Sequence, residues 1–233
     1  VVRNLTQSAT LFLDGIERYH QIDKHIIDTV GKIIVDINQE KKYKISVASD
    51  FFKKYSTLIE DTTTLKLLYL QQDNNQTFFD HSGETLLIIL KRDPNFLLEY
   101  LKALADKNTY INGQDYGCLR MAWELENSYE IVKNAISFVL EKTRFGIDSD
   151  FLEVFFVNNK PENKSKADHL LFDLISDFRH EPTKINFVFE FIIAKRSELF
   201  QEAFTLYIRL NSRLLDFQDI QWMERMIVHN GSS

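Results

Sequence analysis

An all-α fold of stacked antiparallel helical hairpins, an α-solenoid-like array, is what this sequence predicts, on three observations. Helix-start signatures return about every 33 residues, at Ser49/Asp50, Ser82/Gly83, Asp115, Asp148 and Glu181/Pro182, and that interval is the length of one antiparallel helix pair with its turns. Between the starts, apolar residues recur at i, i+3/i+4 and i+7, which gathers each set on one helical face. Only 7 Gly and 3 Pro occur among 233 residues, far too few for the turns of an all-β protein or the glycine loops of an α/β one. The same spacing suits an irregular globular helical bundle, which stays as the alternative. Neither the tetratricopeptide nor the ankyrin repeat pattern is present.

Residues 1–45 read as an N-terminal helical pair. Its first helix runs from about Ser8 to His20; the second runs from about Ile22 to Asn38, with Ile26, Ile27, Val30, Ile33 and Ile34 at helical spacing. Residues 46–233 form the hairpin array, continuous with 1–45 as one domain. Its first pair sets Phe51, Phe52, Tyr55, Leu58 and Ile59 against Leu65, Leu68 and Tyr69. In the second, Asp93 is placed as N-cap and Pro94 as first helical residue, because a proline there gives up no helical hydrogen bond.

The third pair joins a short helix carrying Leu119, Ala122 and Trp123 to one opened by the capping-box-like Asn127-x-x-Glu130. That second helix offers Ile131, Val132, Ala135, Ile136 and Val139 on one side and Phe138 and Leu140 on another, so it needs neighbours on two sides. The fourth pair runs from Asp148 through Phe155 and Phe156, crosses Asn158 to Lys164, and returns with Leu170, Leu171, Leu174 and Ile175. The fifth begins at Pro182. A sixth begins at Asp216-Phe217 and breaks off; with the Val1-Val2 start, this predicts a piece of a longer protein.

The 44% hydrophobic content, including 19 Phe, supplies a continuous core. The net charge of −6 is unevenly spread: residues 1–66 are nearly neutral and the remainder is acidic. That argues against nucleic acid over most of the surface, since counterion release rewards dense cationic patches. Cys118 is the one cysteine, so no intramolecular disulfide can form and a reducing, cytoplasmic setting is expected. The longest apolar run, Leu86-Leu87-Ile88-Ile89-Leu90, stops at Lys91, well short of the roughly 20 residues of a membrane span. Asn4, Asn75, Asn163 and Asn230 lie in N-x-S/T sequons that an Asn-rich chain without a secretory segment produces by chance.

Phosphate-loop, dinucleotide-binding, HExxH and GxSxG motifs are all absent, so neither catalysis nor a cofactor is expected within these residues. Three polar constellations remain. His169, Asp173, Asp177 and His180 fall within about 80° of one another on a helical wheel, one stripe of metal-capable donors, and define the alternative of a metal-dependent helical-bundle enzyme. The same stripe is what a solvated helix face gives. Lys41, Lys42, Lys44, Lys53 and Lys54, interleaved with aromatic residues, define a second alternative, nucleic-acid contact by phosphate pairing and ring stacking. Phe51, Phe52 and Tyr55 are, however, already claimed by the apolar stripe.

The leading expectation is a non-catalytic helical-repeat module that binds a protein partner or scaffolds an assembly, with oligomeric state left open. Tyr116, Arg120 and Trp123 are its candidate contact residues, clustered at one helix start and partly off the core stripe, of the residue types that dominate interface energetics. Cys118, beside them, lacks a base at any recognisable spacing and is read as packing.

In texture, residues 49–220, with segments such as Phe200-Gln-Glu-Ala-Phe-Thr-Leu-Tyr-Ile-Arg-Leu210, resemble the C-terminal helical arrays of bacterial STAND-type NTPases. The resemblance implies an arm that recognises a partner, often a foreign protein, and controls an NTPase or effector elsewhere in a larger defence protein. It carries over no functional residue.

Overall fold

The structure, a computed structural model, describes residues 15, 18, 23–39, 55–71, 80, 82–106, 113–142, 150–156, 160–211 and 221; the side chains of 38, 106, 113–117, 142, 150 and 151 are not included. Every regular element among these residues is helical, and no strand occurs. The fold is all-α. The first helix of the N-terminal pair, apart from Gly15 and Arg18, which are helical, the lysines Lys41, Lys42, Lys44, Lys53 and Lys54, and the start at Asp216-Phe217 lie outside the described residues. The chain divides into two compact units, residues 1–109 with 115–131, and residues 110–114 with 132–233.

In the first unit, α1 (Lys24–Gln39) packs on α2 (Thr62–Leu70), and α2 in turn contacts both α3 (Glu84–Arg92) and α4 (Phe96–Asp106). Ile27, Ile34 and Val35 bury the contact face of α1, whereas Ile33 is 52% exposed. Ile33, grouped with these residues by spacing, faces water because six residues from Ile27 amount to about 600° of helical rotation, roughly 120° off the buried line. Gly31 brings the helices close: a Cβ there would lie 3.0 Å from Thr64 Cγ2. Asp61 starts α2, its carboxylate accepting from the Thr63 amide at 3.1 Å and the Thr64 hydroxyl at 2.7 Å.

Asp93 closes α3 rather than opening α4 directly. Its Oδ1 accepts from the Asn95 amide at 3.2 Å, and the regular helix begins at Phe96, two residues after Pro94. Lys66 of α2 pairs with Asp93 and Glu99, both at 2.7 Å, tying α2 to this turn and to α4. Tyr69 meets Phe96 and Tyr100 edge-on, with centroids 5.8 and 5.2 Å away. Such aromatic pairs contribute about 0.5–1.5 kcal/mol each beyond area burial. Residues Gly113–Glu124 run as a 3₁₀ helix, then α5 spans Ser128–Lys142. In α5, Val132, Ala135, Ile136 and Val139 are buried, and so is Leu140 on the second side.

The second unit takes α5 from Val132 onward, then α6 (Asp150–Phe156), α7 (Pro161–Asp177), α8 (Pro182–Lys195), a 3₁₀ turn at Ser197–Leu199, and α9 (Phe200–Asn211). Helix α7 begins at Pro161, inside what the sequence suggested was a crossing; a proline at the first helical position outweighs the polar run around it. Asn163 is buried in that first turn, so its sequon is inaccessible. Each helix here contacts the next and the next but one: α6 with α7 and α8, α7 with α8 and α9. Phe189 of α8 is fully buried, its ring edge-on to Phe200, Phe204 and Tyr207 of α9 at 6.1, 6.3 and 5.8 Å. No helix among the described residues is long and apolar enough to cross a membrane.

Candidate functional site

Helices α7 and α9 carry their buried stripes on one side and leave a polar valley on the other. Ala167, Leu170, Leu171, Leu174 and Ile175 turn the inner face of α7 into the core; Ala203 and Tyr207 do the same for α9, one helical turn apart. The opposite faces meet around an open groove of about 610 Å³. Phe172 and Leu206, both half-buried, supply its apolar floor. Glu198 and Glu202 line one end, Arg209 enters from the last turn of α9, and His169 stands on the α7 side.

One guanidinium joins α7 to the segment just ahead of α9. Arg196, only 6% exposed, ends α8; it pairs with Asp168 of α7 and donates through Nε to Glu198 Oε1 at 2.9 Å. The hydrogen bond from Arg196 holds the Glu198 carboxyl below the usual carboxylate range. A buried cation is costly unless paired, so the 3₁₀ turn and the start of α9 are fixed against α7 by this charge.

The stripe proposed as a metal site is arranged around a lysine instead. Lys133 of α5 reaches Asp173 at 3.2 Å and Asp177 at 2.9 Å. Its pKa is raised, first through the Asp177 hydrogen bond. His169 is 71% exposed and 4.0 Å from Asp173, and His180 is exposed beyond the end of α7. Among the described residues no three His, Cys, Asp or Glu side chains are grouped to hold a metal ion. The wheel projection failed because α7 stops at Asp177, so the angular register does not extend to His180.

Of the proposed contact trio, Arg120 and Trp123 differ in burial. Arg120 is exposed, Trp123 is buried in the first unit at 3% exposure, and the Tyr116 side chain lies outside the described residues. Trp123 is therefore a core residue. Its neighbours Cys118, Leu119 and Ala122 are buried with it, so the 3₁₀ segment sinks a broad apolar arc that leaves the indole no open side.

A buried polar node in the first unit was not anticipated. Asp80 accepts from the amides of Thr85 at 3.2 Å and Leu86 at 2.9 Å, capping α3, and from the Tyr69 hydroxyl at 3.2 Å. Tyr69 also lies 3.9 Å from the Cys118 sulfur. Burial pushes the Asp80 carboxyl up and the Cys118 thiol far up, so Cys118 is a packed thiol rather than a nucleophile. An Asp three residues before Gly83 and just ahead of an apolar run was the available signal. The node organises α3 and offers no opening for a substrate.

Comparison of the chain with family models, with curated proteins and with solved structures gives no match.

Proposed function

We propose that this chain is a non-catalytic module of stacked helical hairpins whose second unit docks a protein partner along the groove between α7 and α9. The observation that carries the reading is the groove itself: two adjacent helices leave an apolar floor at Phe172 and Leu206 inside a charged rim. Helix-in-groove recognition uses this combination, the floor supplying affinity and the rim orientation. Contacts between each helix and the next but one in the second unit support the stacked arrangement. The resemblance to STAND-type arms adds a relay role, in which partner arrival is communicated to an effector. The lone Cys118, reduced and buried, suits a cytoplasmic setting.

A photo-reactive residue placed at exposed Thr205 tests the reading, with the same residue at exposed Asn134 as control. A specific polypeptide cross-linked from Thr205 alone, and lost when Leu206→Glu is added, is expected. Equal labelling from both positions would refute docking at the groove.

A further inference from the structure

The 3₁₀ helix Gly113–Glu124 is twelve residues long, whereas runs beyond three or four residues are uncommon because their hydrogen bonds are poorly aligned. Its sequence asks for another winding. Leu119-Arg120-Met121-Ala122-Trp123-Glu124 is built largely from the strongest α-helix formers, and no Gly or Pro stands between Cys118 and Lys142. Burial follows the α period as well: Cys118, Leu119, Ala122, Trp123 and Leu125 are buried, and Arg120 and Glu124 are exposed. At about 100° per residue the buried set fills an arc of about 160°, with both charges on the opposite side. At the roughly 120° of a 3₁₀ helix, Arg120 falls in line with Trp123, and Glu124 with Cys118. The polarity thus suits α, while bonding three residues back continues as far as the Leu125 amide, which donates to the Ala122 carbonyl at 3.3 Å.

One contact favours the observed winding. A Cβ on Gly83 would stand 2.9 Å from the Cys118 carbonyl oxygen and 2.4 Å from Met121 Cγ. Residues three apart are eclipsed in a 3₁₀ helix, so Cys118 and Met121 reach this glycine together; in an α-helix Met121 is turned about 60° away. We infer that the segment is a two-state connector, wound as 3₁₀ while Met121 is seated on Gly83 and as α when Met121 turns off that seat. The twelve residues span about 24 Å as 3₁₀ and about 18 Å as α, so rewinding draws the ends of the segment together by about 6 Å. The same apolar residues share one face of the α form, so rewinding need not expose them. Cys118 also lies 3.9 Å from the Tyr69 hydroxyl, which carries the change to the Asp80 cap of α3. Displacements of about one helical turn are those by which packed elements relay a binding event. The inference stands whether or not the groove docks a partner.

The test is a bridge of one α-turn length between Arg120→Cys and Glu124→Cys in the full chain; both positions are exposed, and fully buried Cys118 is out of the reagent's reach. Couplings measured by NMR across backbone hydrogen bonds name the acceptor of each amide. Acceptors three residues back are expected without the bridge and four residues back with it, the two forms melting within about 4 °C of each other. Relaxation dispersion in the wild-type amides of residues 118–124 should show exchange that the bridge removes. Bonding four residues back without the bridge, bonding three residues back under it, or loss of cooperative melting on bridging would each overturn the inference. Should the cysteine pair fail to fold before bridging, the wild-type measurement decides: absence of exchange in residues 118–124 overturns the inference on its own.

Discussion

Tyr69 donates its hydroxyl to Asp80 Oδ2 across 3.2 Å in a site closed to water, joining α2 to the first turn of α3. The two residues are eleven apart in sequence, and the bond ties the last turn of α2 to the start of α3. Removing the hydroxyl with Tyr69→Phe keeps the ring contacts to Phe96 and Tyr100 and leaves the carboxylate one donor short. Urea unfolding should show a loss of about 1–2 kcal/mol. A midpoint equal to wild type would mean that the hydroxyl contributes nothing to stability.

Gly83 caps α3 at φ +74°, and a Cβ there would come within 2.4 Å of Met121 Cγ and 2.9 Å of the Cys118 carbonyl oxygen. Gly83→Ala combines left-handed backbone strain with a collision, and a loss of at least about 2 kcal/mol is expected. Adding Met121→Ala should relieve only the contact with the flexible side chain, because the carbonyl cannot retreat. Full recovery in the double variant would contradict that account.

Two carboxylates of the first unit titrate in opposite senses. Asp61 is lowered, first by its hydrogen bond from Thr64, so its stabilisation is present above the ordinary carboxylate value of about 3.9 and disappears as pH falls through the folded value. Asp80 is raised by burial, so its contribution is fullest in acid and declines as pH rises through its elevated folded value. Asp61→Asn should therefore flatten the acid side of the stability profile, and Asp80→Asn the decline just above the ordinary range. Denaturant midpoints measured from pH 3 to pH 8 check both signs. Identical slopes in wild type and variants would discard the assignments.

Arg196→Ala leaves Asp168 and Glu198 without their shared cation. A loss of about 1.5–3 kcal/mol is expected, the contribution of hydrogen bonds to a charged group, because the carboxylates left behind keep part of their contact with water. Arg196→Met with Asp168→Asn removes both members of the buried pair and should cost less than Arg196→Ala alone. Double-mutant analysis by thermal unfolding measures the coupling. Strict additivity of the two changes would show that Arg196 and Asp168 do not act together.

The helices that declared themselves in the sequence were those with both a start signal and an uninterrupted stripe. Pro182 followed by Ile185, Val188, Phe189 and Ile192 was legible on both counts and forms α8 with those residues buried. Pro161 was not read as a start because polar residues surround it, although its fixed φ is sufficient to open α7. Site residues were harder to read. Periodicity assigns a residue to a face, but whether that face meets water depends on neighbours distant in sequence. Lys133, forty residues from Asp173, turned a metal-like stripe into an ion-pair cluster. The groove escaped notice for the same reason: neither the outer face of α7 nor that of α9 is unusual until they lie side by side.

Arg196 has a bearing on how the second unit yields to change. Because one guanidinium binds Asp168 on α7 and Glu198 just ahead of α9, two helices separated by a whole hairpin share a single fastening. The charge works as a locked caliper: it sets one separation for α7 and the start of α9, and a disturbance at either carboxylate is passed to both.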